Sequence, residues 1–305
     1  MSPAPPPVSS GLTPSASASP VDQLGASRNP DGGYGYYPNR KSRIEPTAWV
    51  ALSPAMDAAT ARGWLVDAQG PDGWIRDDRR APINYGFNAL ALLAFLTDRH
   101  TFPHAERVGQ ALLQVKGLAY GPSPVVRQDN SLQAWSWVDN TLSWVEPTAY
   151  GLLAIKRARA LGLLESSART AAARVDVAER LLRDRACASG GWNYGNSQVF
   201  GANLYAHGPT TALALMALQD RAGTPFVDAG LQFLAANAMA ERSGFALSLT
   251  TLCLRLFGRP TDAVTAAVDE QAPVSIAIAN TITLAGLSIV LSDDPTSLAP
   301  LSLPA

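Results

Sequence analysis

Two glutamates occupy the same short sequence context and are the first candidates for acid–base chemistry. Glu45 lies within residues 43–48 (RIEPTA) and Glu146 within residues 144–149 (WVEPTA). A carboxylic acid that keeps its proton among aromatic groups can donate that proton to a substrate. Glu146 and Glu45 are therefore candidates for a catalytic acid. The alternative is that both only stabilise helix N-termini, where a negative charge is favourable.

Asp139 is the third candidate for a catalytic acid. It lies in residues 135–144 (WSWVDNTLSW), among tryptophans. Burial against those rings would raise its pKa and suit it to act as a general acid. The alternative is an aspartate in a hydrated loop.

Several residues near predicted helix starts are candidates for ligand binding. Aromatic faces can stabilise positive charge, and a basic side chain before a helix can bind an anionic headgroup such as a diphosphate. The ligand-binding candidates are Trp49, Trp144, Tyr150, His207 and Arg43.

Metal and cofactor motifs are missing from the sequence. Cys187 and Cys253 have no metal-ligand spacing, and Pro103 interrupts any helix that would align His100 with His104. The sequence also lacks a phosphate loop and a dinucleotide-binding fingerprint. We expect no metal and no cofactor.

The composition excludes some classes of protein. The chain has 305 residues, 47% of them hydrophobic and 16% charged, with a formal net charge of −1. A nucleic-acid binder would carry a basic excess, so no nucleic-acid partner is expected. The apolar content is enough to form the core of a large domain.

The two ends of the chain differ in composition from the middle. Residues 1–21 are rich in Pro, Ser and Ala without a cationic start, which predicts a disordered tail and no secretory signal. Residues 22–291 are predicted to form a single domain, and 292–305 a flexible tail. Residues 275–291 fall short of the about 20 apolar residues that span a bilayer, which predicts a buried helix. We expect a cytoplasmic protein with no integral membrane segment.

The middle of the chain contains internal repeats. Each of the three clearest copies has a loop rich in glycine and aromatic residues, then a Pro-Thr pair, then an apolar run at helical spacing. The clearest copies are residues 31–52, 137–155 and 190–218, with a degenerate copy at 69–96 and fainter ones at 243–257 and 275–291. Copies lie about 40 to 60 residues apart, a spacing typical of one supersecondary unit per repeat.

Each repeat is predicted to be a pair of helices. Amphipathic stretches such as residues 174–185 precede the loops, and Pro46, Pro147 and Pro209 suit the first position of the helix that follows. A helix that is apolar on most of its surface must be surrounded by neighbours. We therefore predict an all-α ring of about six helix pairs, with the apolar helices inside.

Three loop motifs resemble the repeats of terpenoid cyclases and protein prenyltransferases, the prenyltransferase and squalene oxidase repeat family. They are residues 31–34 (DGGY), 69–74 (QGPDGW) and 190–192 (GGW). The resemblance implies an α/α toroid with a central apolar cavity. It also implies that Glu146 stands at the position of the proton donor of class II cyclases, with Trp144 and Pro147 in place of the family's flanking aspartates.

The function that this resemblance implies is the binding or conversion of an apolar, isoprenoid-type small molecule. Two alternatives remain open from the residues. One is a catalytically silent toroid that serves as a lipid- or protein-binding scaffold. The other is a carbohydrate-active enzyme, because such enzymes also use α/α toroids with carboxylates and tryptophans in their clefts. The sequence leaves the oligomeric state open.

Overall fold

The computed structural model describes residues 19–78 and 80–303, which are mainly helical. The helices are α1 (Pro20–Ser27), α2 (Ile44–Leu52), α3 (Ala58–Asp67), α4 (Tyr85–Phe95), α5 (Phe102–Gln114), α6 (Val145–Ala160), α7 (Ala168–Asp184), α8 (Gly208–Met216), α9 (Pro225–Asn237), α10 (Gly244–Leu256), α11 (Asp262–Ile278) and α12 (Thr281–Val290). Two short antiparallel strands, β1 (Gln198–Val199) and β2 (Ala202–Asn203), form a hairpin before α8.

The even-numbered helices form a closed inner ring. Each packs against the next along the chain, and α12 packs against α2. The odd-numbered helices lie outside: α1 packs on α12, and α3, α5, α7, α9 and α11 each pack on the inner helix that precedes them. The predicted all-α toroid of six helix pairs is confirmed.

The hydrophobic pattern explains which helices lie inside. In α4 every residue except Phe87 is buried, so this helix can exist only when surrounded by protein. The outer helix α5 buries one stripe, which includes Ala105, Val108 and Leu112. None of the described helices combines the length and apolarity that crossing a bilayer requires.

A pair of hydrogen bonds explains the threonine of the Pro-Thr motif in two copies, and in the third copy the residue after the motif forms the same bonds. The Thr47 hydroxyl accepts a hydrogen bond from the Tyr34 N–H (2.9 Å) and donates one to the Tyr34 carbonyl oxygen (3.3 Å). Thr211 binds Trp192 in the same way, at 2.9 and 3.1 Å. The same two bonds join Thr148 to Trp135 (3.4 and 3.2 Å) and the Asn88 amide to Ile75 (2.9 and 3.0 Å). We call these paired bonds the loop clasps.

Replacing Thr148 with Val tests one loop clasp. The side chains are similar in size, but valine leaves the buried Trp135 N–H without its partner, while the Trp135 carbonyl oxygen keeps the hydrogen bond from the Trp144 N–H (3.2 Å). The free energy of unfolding should fall by about 2 kcal/mol in urea denaturation. Thr265→Val is the matched control, because the buried Thr265 hydroxyl has no hydrogen-bond partner among the described residues. Equal losses in both variants would contradict a stabilising role for the clasp.

The loop glycines allow close approach to the outer helices. Gly190 has a φ of 83°, and a Cβ atom there would lie 2.6 Å from the Ala229 carbonyl oxygen in α9. Gly73 has a φ of 88°, and a Cβ atom there would lie 2.9 Å from the Arg107 carbonyl oxygen in α5. Both the backbone conformation and the space therefore require glycine.

Two details differ from the repeat predicted from sequence. The aromatic residue held by the third clasp is Trp135, which precedes the predicted copy at 137–155. Residues 275–291 do not form one buried helix: Ala279 has a φ of 54° and ends α11, and the Asn280 side chain accepts the Thr283 N–H (3.2 Å) and caps α12. The polar residues in this stretch therefore form a junction between two helices.

The described parts of both ends are ordered against the ring. The predicted tail at 1–21 lies outside the described residues up to residue 18, but α1 begins at Pro20 with a capping box between Ser19 and Asp22. In place of a flexible tail at 292–305, Pro295–Leu301 forms a 3₁₀ helix with Leu301 buried. Gln219 donates to the Leu301 carbonyl oxygen (2.9 Å) and accepts the Leu303 N–H (3.0 Å). The segment packs there because its backbone forms these two hydrogen bonds and the Leu301 side chain is buried.

Candidate active site

Neighbouring loops bind the starts of the inner helices at one end of the ring, which we call the N-terminal mouth. The Thr281 N–H donates to the Tyr36 carbonyl oxygen (2.9 Å), and the Val145 N–H donates to the Tyr194 carbonyl oxygen (3.0 Å). Tyr85 N–H binds the Trp137 carbonyl oxygen (2.8 Å), and Ile44 N–H binds the Asp77 side chain (2.7 Å). Each acceptor comes two residues after a clasped residue, so the repeat itself places these four residues at the mouth.

Glu45 and Glu146 lie half-buried in the first turns of α2 and α6 at this mouth. The pKa of Glu146 is raised to about 7, chiefly by burial and in addition by the nearby charge of Glu45. Among the described residues, no group donates a hydrogen bond that would stabilise the Glu146 carboxylate. Glu146 is therefore suited to hold a proton near neutral pH and to donate it.

Glu45 differs from Glu146 by one hydrogen bond. The Tyr36 hydroxyl donates to Glu45 Oε2 at 2.6 Å. Burial raises the pKa of Glu45, the Tyr36 hydrogen bond opposes that rise, and the charge of Asp77 adds to it. Because this hydrogen bond favours the ionised form, Glu45 carries a negative charge more readily than Glu146 does.

Neither glutamate caps its helix through a hydrogen bond. The N-cap residues of α2 and α6 accept no hydrogen bond from the first N–H groups through their side chains, and the Ile44 N–H donates to Asp77 instead. Asp77 also pairs with Arg43, at 3.2 Å from its Nε. No hydrogen bond therefore supports the helix-capping alternative for Glu45 and Glu146. In the first turn, their negative charges can stabilise the helices only through the helix dipole.

The ring interior below the acid pair is filled by aromatic side chains. Trp49 from α2 is fully buried and packs edge-on against Phe245 from α10, with ring centroids 5.5 Å apart. Tyr150 from α6 is also buried; burial raises its pKa, and the charges of Glu146 and Glu45 raise it further. The Trp49 indole N–H lies near the Tyr150 hydroxyl but forms no hydrogen bond. Because three alternate helices meet here, this level of the ring is not the apolar cavity expected from sequence.

The other predicted site residues lie around the rim of the mouth. Asp139 is exposed and accepts a hydrogen bond from the Tyr85 hydroxyl (2.8 Å), so the tryptophans do not enclose it. His207 is exposed, with its ring 5.1 Å from that of Tyr194. Trp144 is half-buried and lines a 370 Å³ cavity that His207 also lines. The structure thus brings Glu45, Glu146, Trp49 and Tyr150 together and leaves Asp139 and His207 outside that group.

Arg43, proposed from sequence to bind an anionic headgroup, already has an acidic partner, and so does the neighbouring Lys41. Arg43 pairs with Asp77, and Lys41 Nζ lies 3.0 Å from Asp78 Oδ2. Neither Asp77 nor Tyr36 is among the site residues predicted from sequence. The signal that could have identified Tyr36 and Asp77 is their position in the repeat, two residues after a clasped residue.

Potential metal ligands are scattered. In the part of the chain that the structure describes, no group of three His, Cys, Asp or Glu side chains is placed to hold an ion. Cys187 and Cys253 are both buried free thiols, and burial raises the pKa of each.

Comparison with known proteins shows the fold and no family. No family model matches the chain, and no curated protein matches it in sequence. A solved α-amylase from Clostridium perfringens is similar with 8% identity and a TM-score of 0.60, over 88% of this chain and 96% of that one. An inactive α-1,6-mannanase variant from Salegentibacter, in complex with α-1,6-mannotriose, has 8% identity and a TM-score of 0.60, over 89% and 97%. An ent-copalyl diphosphate synthase from Streptomyces platensis has 15% identity and a TM-score of 0.54, over 82% of this chain and 50% of that one.

These similarities establish an α/α toroid and correct the expected function. The amylase and the mannanase align over almost their whole length, as does an endoglucanase from Klebsiella pneumoniae (98% of that chain). The terpenoid cyclase aligns over half of its length. The isoprenoid function expected from the repeat motifs is therefore wrong as the leading interpretation, and the carbohydrate-active alternative is better supported. The specific prenyltransferase and squalene oxidase repeat family is not confirmed.

Proposed function

We propose that this chain is a carbohydrate-active enzyme that hydrolyses a glycosidic bond at the N-terminal mouth. The observation that carries the proposal is the carboxyl pair Glu45 and Glu146. One member has its pKa raised to about 7, and the other is held by the Tyr36 hydroxyl at 2.6 Å. Two carboxyl groups with different protonation states are the usual machinery for glycoside hydrolysis.

Each carboxyl group has a defined task in this reaction. Glu146 gives its proton to the glycosidic oxygen as the bond from that oxygen to the anomeric carbon breaks. The ionised Glu45 stabilises the positive charge that develops on the sugar ring, and either accepts a proton from the attacking water or bonds to the anomeric carbon first. Water supplies the hydroxyl group of the new reducing end, and its remaining proton restores the acid.

The rim of the mouth supports a saccharide as substrate. Trp144 and His207 line a cavity there, beside the exposed ring of Tyr205. Aromatic rings with polar groups nearby suit a sugar, which presents both C–H faces and hydroxyl groups. The similar solved structures described as an α-amylase, an α-1,6-mannanase and an endoglucanase lend support at the level of the fold.

A panel of polysaccharides tests the proposal. Starch, α-1,6-mannan, xylan and cellulose are incubated with the full chain, and new reducing ends are measured against time. We expect release from at least one of them. A folded protein that releases reducing ends from none of these substrates would contradict hydrolysis at this site.

A catalytically silent scaffold that binds a protein partner is the second candidate. The filled ring interior around Trp49, Tyr150 and Phe245 favours it, because a toroid closed by its own side chains needs no ligand for stability.

Kinship with the repeats of terpenoid cyclases is a further proposal. It rests on the recurring loop, Pro-Thr pair and helix, and concerns the fold and not the chemistry. The cytoplasmic location stays a prediction.

A further inference from the structure

We propose that a cleft running from Trp144 over Tyr194 and His207 to Glu241 binds an uncharged oligosaccharide. This inference rests on the proposed function and adds where the substrate lies and which charge it carries. The cleft consists of two adjoining cavities, of about 370 and 420 Å³, which share Tyr194 and His207 as lining residues. Both volumes fall in the range of small-molecule sites.

The cleft begins at the start of α6, the helix that carries Glu146. Trp144 lines the first cavity, and Glu146 follows it by two residues in the first turn of α6. The Val145 N–H between them binds the Tyr194 carbonyl oxygen, which holds the cleft loop against this helix start. A sugar unit in the first cavity would therefore lie against the start of α6, and further units would extend toward Glu241.

The surfaces of the cleft suit sugar rings. Tyr205 is 84% exposed and Tyr194 is 58% exposed, although tyrosine rings are usually more buried than this. The His207 imidazole has no hydrogen bond among the described residues and is free to bind a hydroxyl group. Aromatic faces pack against the C–H faces of a sugar, and the phenol and imidazole groups can bind its hydroxyls.

The loop beneath these rings is held in place before any ligand binds. Asn193 Nδ2 donates to the carbonyl oxygens of Asn196 (2.7 Å) and Tyr205 (3.2 Å), and its Oδ1 accepts the Gly195 N–H (3.0 Å). The Gln128 side chain donates to Asn196 Oδ1 from a neighbouring loop. A loop that is already ordered loses less entropy on binding, which favours a specific site.

The charges around the cleft disfavour an anionic substrate. Glu146 lies near one end, and Glu241 at the other, where two backbone N–H groups hold its Oε1 at 2.8 Å each. The exposed Arg242 beside Glu241 donates from its guanidinium to the carbonyl oxygens of Met239 and Glu241, at 3.0 Å each. A carboxylate-bearing sugar would thus meet acidic groups at both ends and one cation already engaged by backbone oxygens, so the cleft is expected to bind uronic acids more weakly than neutral sugars.

Binding to the Glu146→Gln variant tests this proposal without turnover. Mannotriose, xylotriose, maltotriose, cellotriose and trigalacturonate are titrated by calorimetry. We expect at least one neutral trisaccharide to bind, with trigalacturonate weaker by roughly tenfold or more. Adding Tyr205→Ala or Tyr194→Ala should weaken the neutral sugar roughly tenfold. Tyr120→Ala, which removes another exposed tyrosine outside the cleft, should leave binding unchanged.

The outcomes separate this inference from the proposed function. Unchanged binding in both Tyr205→Ala and Tyr194→Ala, equal binding of trigalacturonate, or no binding of any neutral trisaccharide would overturn the cleft. Sugar binding that depends on the tyrosines, in a wild-type chain that hydrolyses nothing, would support the cleft and refute hydrolysis. Hydrolysis by the wild-type chain, together with normal sugar binding in the tyrosine variants, would support the proposed function and refute the cleft.

Discussion

Replacing Glu146 with Gln should lower kcat for glycoside hydrolysis by about 10² to 10⁴-fold, the usual contribution of a general acid. Glutamine fills the same space but has no acidic proton to give to the leaving oxygen. The measurement is the initial rate of reducing-end formation on the best substrate of the panel. Circular dichroism of the variant checks that the helices remain.

Two further variants make this result specific. Glu165→Gln makes the same chemical change at an exposed residue of the turn after α6, away from the mouth, and should leave kcat unchanged. Glu45→Gln should also lose activity. It should in addition lower the pKa of Glu146, because the Glu45 charge helps to raise it, so any remaining activity should decline at a lower pH. Wild-type turnover by Glu146→Gln would rule out its role as the acid.

The ring could be predicted from sequence because its causes are local and repeat along the chain. Pro147 and Thr148 mark the start of an inner helix, and the threonine binds a residue thirteen positions earlier. The same distance separates Thr47 from Tyr34. In the Thr211 clasp the separation is nineteen positions. An apolar helix that must be enclosed and a loop that must be held to it still leave a recurring order of loop and helix that can be recognised in the sequence.

The site could be predicted only in part, because its decisive contacts join distant repeats. Glu45 and Glu146 stood out by their context, but nothing local shows that they influence each other across the mouth, since α4 lies between their helices in the ring. The hydrogen bond from Tyr36 that distinguishes the two acids also cannot be read from the sequence. Asp139 shows the opposite error: three tryptophans nearby in sequence suggested burial, but the ring directs them elsewhere and leaves the carboxylate exposed.

The filled interior was missed for a related reason. Trp49, Tyr150 and Phe245 come from α2, α6 and α10, and each looks like an ordinary core residue of its own helix. Only ring closure brings these alternate helices to a common point. Large side chains at that point occupy the axis, whereas smaller ones would leave the cavity that the repeat motifs imply. The sequence pattern thus predicts the ring but not the size of its opening.

Stability should fall as the pH rises from 5 to 8, and Glu146 should account for much of the fall. Its pKa is raised from an ordinary 4.5 to about 7 by burial and by the charge of Glu45. The folded protein therefore binds this proton more tightly than the unfolded chain does. Its contribution to stability is fully present below about pH 4.5 and is lost as the pH rises through about 7. The loss should reach up to about 3 kcal/mol in urea unfolding, and the raised pKa of Glu45 changes stability in the same direction.

The Glu146→Gln variant then separates a buried acid from a helix cap by the sign of its effect. Glutamine resembles the protonated acid, so the variant should match the wild type at pH 5 and exceed its unfolding free energy at pH 8, by up to about 3 kcal/mol. A glutamate that stabilises α6 through its negative charge would give the opposite result, a loss of roughly 1 kcal/mol at pH 8. Glu165→Gln should show neither change at either pH. A residue that weakens the fold when it is charged must be retained for another reason, and donation of its proton at the mouth supplies one.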